Sequence, residues 1–200
     1  MKHWEWTLLA AFLLSFWSCC FWDFSLGCAE VREDTLRLHI LANSDSAEDQ
    51  QLKLMVRDRI LEETADLFTE TADHEGAVSA AEDALPKMLD AARSLLQEQG
   101  CDAPVSGDVI PLYFETRRYD TVTLPAGVYD AVQIRIGEAQ GKNWWCVLFP
   151  PLCLGAAMPE PNLPEEAADT LDEIEALSIQ YVPKFAAVEW FEELMQKIKG

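Results

Sequence analysis

Gly141-Lys142-Asn143-Trp144-Trp145-Cys146-Val147-Leu148-Phe149-Pro150-Pro151-Leu152-Cys153 constrains this chain more than any other stretch. Adjacent tryptophans open an apolar run fit for a strand, and a double proline ends it and can fold the chain back. The segment offers aromatic area, two thiols and a restricted backbone. It lacks the convergent nucleophile, base or metal set that catalysis needs. It points to a recognition or packing element, and so to a binding protein.

Residues 1–29 have the layout of a secretory signal. Thr7 to Trp22 carries no charge, Asp23 closes the run, and Gly27-Cys28-Ala29 offers small residues for cleavage. Sixteen uncharged residues fall short of the ~20 of a full membrane span. A cleaved signal is therefore the expectation, with an uncleaved signal anchor as the alternative. Leu26 stands one position too close to Cys28 for a good lipobox. In each form the bulk of the chain lies outside the cytoplasm.

Without Lys2, Glu5 and Asp23 the 15 basic and 35 acidic residues become 14 and 33, a formal charge of −19. A chain so acidic has no basic surface to neutralise phosphates, which excludes nucleic acid as a simple electrostatic partner. The same argument excludes an anionic lipid surface for the domain and leaves membrane contact to the N-terminal segment alone. The remaining 171 residues are enough for one core and a tail.

Three cysteines, Cys101, Cys146 and Cys153, follow the signal region. Export permits oxidation, and the Pro150-Pro151 turn can bring Cys146 to Cys153. An unstrained bridge over so short a loop would stabilise by roughly 2.5 kcal/mol. The alternative is two buried apolar thiols. Only His39 and His74 remain as imidazoles and the spacing is not that of a zinc ribbon, so neither metal nor cofactor is expected.

Along the chain, Leu36, Leu38 and Ile40 alternate with Arg37 and His39, the pattern of a half-buried strand over Thr35 to Leu41. Asn43-Ser44-Asp45-Ser46 turns the chain, and Ser46 with Asp49 reads as a capping box. Leu52, Met55, Val56, Ile60, Leu67 and Phe68 then predict a helix over 47–69. A second helix runs from about Val78 to Gly100, with Pro86 kinking or restarting it. Strands follow at 109–116, where Pro111 marks an edge or bulge, at 129–136 and at 144–149. The expected class is α+β, a small, mainly antiparallel sheet with two long helices packed on one face. The expected divisions are a signal at 1–29, this domain at 30–158, an acidic linker at 159–183, and a short amphipathic helix at 184–200 with Phe185, Val188, Phe191, Leu194 and Ile198 on its apolar face.

Enzyme motifs fail one by one. There is no Gly-x-Ser-x-Gly, no His-Glu-x-x-His and no Cys-x-x-Cys. Gly137 to Lys142 is one residue short of a phosphate loop and precedes a strand. The function classes left open are a secreted signal, an extracytoplasmic envelope-binding module, and a thiol-dependent enzyme using Cys101 or the Cys146 and Cys153 pair.

Arg37-Leu38-His39-Ile40-Leu41-Ala42-Asn43-Ser44-Asp45-Ser46, with Asp49-Gln50-Gln51-Leu52-Lys53 and Val56-Arg57-Asp58, resembles the opening signature of the stage II sporulation protein R family. Tyr113-Phe114 with Tyr119, Leu124-Pro125-Ala126-Gly127-Val128-Tyr129-Asp130-Ala131, Asn143 to Cys153, and Val188-Glu189-Trp190 extend the likeness. Glu115, Asp120 and the tail from Gly155 to Gln180 depart from it. The resemblance implies a signal of endospore formation, exported from the forespore into the space between the septal membranes. It implies one partner, a membrane-embedded aspartic protease that processes the sigma-E precursor, and no catalysis by the signal itself. Candidate contact residues are Arg37, Asn43, Ser44, Asp45, Asn143, Trp144 and Trp145. For Asn43, Ser44 and Asp45 the competing role is a turn and cap network. For the tryptophans, alternation predicts one in the core and the other free to be exposed.

Overall fold

Leu36, Leu38 and Ile40 are each fully buried, and the strand that carries them, β1 (Leu36–Leu41), lies inside a four-stranded sheet. The computed structural model describes residues 3–69, 71–119 and 122–150. The elements are α1 (His3–Glu33), β1, α2 (Ala47–Thr69), α3 (His74–Glu98), β2 (Val105–Phe114), β3 (Arg117–Tyr119), β4 (Val122–Leu124), β5 (Gly127–Ile136) and β6 (Asn143–Phe149).

The strand order is β2-β5-β1-β6. β1 pairs antiparallel with β6, Leu38 opposite Cys146, and parallel with β5, Leu38 opposite Val132. β2 runs against β5: its start meets the end of β5 through Ser106, Asp108 and Arg135, and its end meets the start of β5 through Phe114 and Tyr129. The sheet is thus mainly antiparallel, with one parallel pair whose crossover is filled by both long helices. Pro111 falls in β2, an edge strand, where a missing N–H is tolerated.

Helices α2 and α3 cover one face of the sheet. Leu52, Val56 and Ile60, one turn apart, meet Ala81, Met88, Ala92 and Leu96 of α3 and the inward side chains of β1, β5 and β6 in one core. Ser46 caps α2, its hydroxyl accepting from the Asp49 N–H at 3.1 Å. The Asp49 carboxylate does not return the bond as a full capping box would; Asn43 and Ser44 take it. α3 starts earlier than the apolar pattern alone suggests, because Asp73 caps it by accepting from Gly76 N–H at 2.8 Å. It passes through Pro86 as one helix. Gly100, at φ +73°, ends it, and Cys101 N–H reaches back to the Leu96 carbonyl at 2.8 Å.

By packing, the chain divides into two units. Among the described residues, one holds Glu33–Phe114 and 128–150, which is the sheet with α2 and α3. The other includes α1 as far as Arg32 and the segment Glu115–Gly127. In this second unit β3 and β4 form a short hairpin, Arg117 opposite Leu124. Ala126 N–H donates to Thr116 Oγ1 at 3.1 Å, and Arg32 Nη1 donates to the Ala126 carbonyl at 3.2 Å. No helix among the described residues is long and apolar enough to cross a membrane. The linker 159–183 and the helix 184–200 expected from sequence lie outside the described residues.

Candidate functional site

The sheet has a second face, set by the same alternation that fills the core. On it β1 places Arg37 and His39, β5 places Tyr129, Ala131 and Gln133, and β6 places Trp145. Arg37 is fully buried, its guanidinium 4.0 Å above the Phe114 ring and 5.0 Å from that of Tyr129. A desolvated cation over aromatic faces is worth about 2 kcal/mol or more. Phe114 also meets Trp145 edge-on at 4.7 Å, and Trp145 stacks on His39 at 4.6 Å. Arg37 and His39 share this strand face, and both meet aromatic rings on it.

A polar chain crosses this face from edge to centre. Asp108 accepts from Arg135, Arg135 donates to Gln133 Oε1, and Gln133 Nε2 lies 3.1 Å from His39 Nδ1. Because Arg135 occupies the Gln133 oxygen, the amide presents its NH₂ group, so Nδ1 of His39 accepts and the ring proton sits on Nε2. Burial pushes the His39 pKa down; the Asn143 side chain opposes this by favouring the charged form, and the Arg37 charge adds to the lowering. His39 therefore binds its proton more weakly when folded than when unfolded. Its stabilising contribution is complete above the unfolded value near 6.5 and is lost as pH falls through the lower folded value. Thermal melts should show stability declining as pH drops below about 6.5. His39→Phe, which keeps the stack and removes the titration, should flatten that decline. An equally steep decline in the variant would remove His39 as the cause.

Asn43, Ser44 and Asp45 belong to a different constellation. Asn43 Nδ2 donates to Asp49 and its Oδ1 accepts from Glu138 N–H at 3.0 Å, while Asp45 accepts from Lys142 N–H at 2.7 Å. The Ser44 carbonyl accepts from Gln50, and Lys53 Nζ bridges Gln50 and the Lys142 carbonyl at 2.7 and 2.8 Å. Hydrogen bonds from Ser44 and Asn43 hold the Asp49 carboxyl below its usual value. Burial lowers the Lys53 pKa, partly offset by the Asp45 charge. These residues splice the β1–α2 turn to the β5–β6 turn.

Trp144 and Trp145 point to opposite faces, as alternation requires, but both are half-buried. Trp144 packs against the helical core under the Arg57 guanidinium at 4.3 Å. Asn143 is exposed at the rim of the second face. The structure thus gathers Arg37, Asn143 and Trp145 on one face and puts Trp144 and the Asn43–Asp45 turn elsewhere. Gln133, Arg135, Asp108, Phe114 and Tyr129, which complete that face, were not among the contact candidates read from sequence, although Phe114 and Tyr129 carried the family likeness; for the others the alternation of β5 about Gln133 and Arg135 was the available signal. Cys146 is buried; Cys153 and any bridge to it lie outside the described residues. No cluster of three or more His, Cys, Asp or Glu suited to a metal occurs among the described residues.

The family model for stage II sporulation protein R matches residues 32–158, which takes in β1 through β6. The chain belongs to the stage II sporulation protein R family. A relative, stage II sporulation protein R of Bacillus subtilis (strain 168), is 38% identical over 123 residues. That match covers 62% of this chain and spans 55% of the length of that relative. No solved structure matches the chain. The matched region coincides with the sheet, its two helices and both residue constellations described above.

Proposed function

We propose that this chain is a secreted signal of endospore formation, exported from the forespore into the space between the septal membranes. There it activates a membrane-embedded aspartic protease of the mother cell, which processes the sigma-E precursor. Membership of the stage II sporulation protein R family over residues 32–158 carries this reading. The chemistry belongs to the partner; the signal acts by docking. A trigger must bind the active arrangement of its receptor better than the resting one. Moving a receptor from 1:99 to 99:1 takes roughly 5.5 kcal/mol of differential binding, within reach of a few desolvated aromatic anchors.

The contact surface we favour is the rim of the second face, Asn143 and Trp145 with Gln133 and Arg135, because its side chains are partly or fully open to solvent. A Cys146–Cys153 bridge is part of the same proposal, bracing the end of β6 after export; a non-reducing peptide map should join the two cysteines.

The test is co-expression of the chain with the protease and the sigma-E precursor in a non-sporulating host. Processing should appear, and Asn143→Ala combined with Trp145→Leu should lower it at least tenfold at equal amounts of folded protein. Ser44→Ala should change processing only in proportion to the folded protein. Unprocessed precursor with the wild-type chain would sink the signalling role, whereas full processing with the double variant would move the contact surface elsewhere.

A further inference from the structure

We propose that α1 is not a disposable leader: it stays on the folded, exported chain and holds that chain to a lipid surface through the exposed apolar side chains Trp4, Trp6, Leu8, Phe12, Leu14 and Phe16. This goes beyond the signalling reading and stands on the two dissimilar halves of one helix.

The C-terminal part of α1 is built into the fold. Cys28 is 0% and Val31 2% exposed. Arg32 donates to the Ala126 carbonyl, and its side chain lies so close over Gly127, at φ +148°, that a Cβ there would fall 2.2 Å from Arg32 Cδ. The segment Gly27-Cys28-Ala29, which has the residues of a cleavage site, is therefore helical, one turn from a side chain locked onto the 115–127 segment. Proteolytic nicking concentrates in exposed loop tips and loose termini, whereas this segment is helical with Cys28 buried at its centre. A cut after Ala29 would also remove the buried Cys28. It would leave Val31 and Arg32 in a helical stub with unpaired N–H groups.

The N-terminal part is the opposite. Trp4, Trp6, Leu8, Leu9, Phe12, Leu14 and Phe16 are all between 46% and 67% exposed. At 100° per residue these positions lie on every side of the helix, so no single protein groove could cover them. A lipid surface accepts apolar side chains from all sides, and indole rings favour its headgroup boundary. Thr7 to Trp22 carries no charge in a chain of net charge −20. Burial at that boundary does not require a helix able to cross a membrane. Only Asp34 and Thr35 separate α1 from β1, so the anchor joins the sheet with no long linker.

Two experiments decide the matter, and neither contains a receptor, so their failure is separable from failure of the signalling role. The full chain, expressed with its own N-terminus in an exporting bacterium, should be recovered uncut in the membrane fraction, released by detergent and not by high salt. A chain beginning at Glu30, in membranes or medium, would overturn the proposal. So would an uncut, soluble oligomer, which would give the apolar half to a second copy. In the second experiment purified full chain should float with neutral phosphatidylcholine vesicles, and Phe12→Ser with Phe16→Ser should cut the floated fraction at least tenfold. Equal flotation of the variant, or none of the wild type, would overturn the lipid contact.

Discussion

Phe114→Ala should be among the most damaging single substitutions in the domain, costing about 3–5 kcal/mol in urea unfolding. Phe114 is fully buried and is the hub of the second face: it lies under Arg37, edge-on to Trp145 at 4.7 Å and edge-on to Tyr129 at 5.7 Å. Truncation leaves a cavity and also strips a buried guanidinium of an aromatic ring 4.0 Å away. The second effect separates this site from an ordinary core phenylalanine. Phe114→Leu restores most of the volume but none of the ring, so the residual loss with leucine measures the ring's contacts with Arg37, Trp145 and Tyr129 together, about 2 kcal/mol or more. If alanine cost under about 1.5 kcal/mol, the face would be more plastic than its packing suggests.

Gly141→Ala should be nearly as severe, though it adds one methyl group. A Cβ at Gly141 would sit 2.2 Å from the Ser44 carbonyl oxygen and 2.5 Å from its carbon, and those atoms are backbone. Relief demands that one turn back away from the other. The motion breaks the bonds from Gly141 N–H to the Ala42 carbonyl at 2.9 Å and from Lys142 N–H to Asp45 at 2.7 Å, and strains the Lys53 bridge. Overpacking costs about 1–3 kcal/mol, and each lost hydrogen bond adds about 1 kcal/mol, so a loss near 4 kcal/mol is expected. Gly100→Ala supplies the contrast. Its Cβ would meet nothing within 4 Å, and only the left-handed backbone at φ +73° is strained, for about 1–2 kcal/mol. A smaller loss at Gly141 than at Gly100 in the same melts would show that the two turns are not held as tightly as drawn.

The elements whose reasons are local were legible in the sequence. β1 follows from the alternation of Leu36, Leu38 and Ile40, and α2 from the spacing of Leu52, Val56 and Ile60, with its start at Ser46. The start of α3 was missed because Asp73 caps through a single side-chain bond that no apolar pattern announces. The site was legible only in part. Arg37, Asn143 and Trp145 could be picked out as chemically unusual, but their union on one face depends on β5 and β6 flanking β1, and pairing between distant strands leaves no trace in local spacing. For the same reason Asn43, Ser44 and Asp45 could be read as a contact site or a cap network, and only their bonds to Glu138, Asp49 and Lys142 show where their polar atoms go. Phe114 and Tyr129 carried the family likeness but gave no warning of their place on this face, since an aromatic residue in a strand is ordinary until a buried arginine is found above it.

The position of β1 between β5 and β6 governs the order of folding. The first strand made has its neighbours at residues 127–136 and 143–149, so closing the sheet means closing loops of about a hundred residues, which is slow. A nascent chain of this design cannot complete its sheet until β6 has been synthesised.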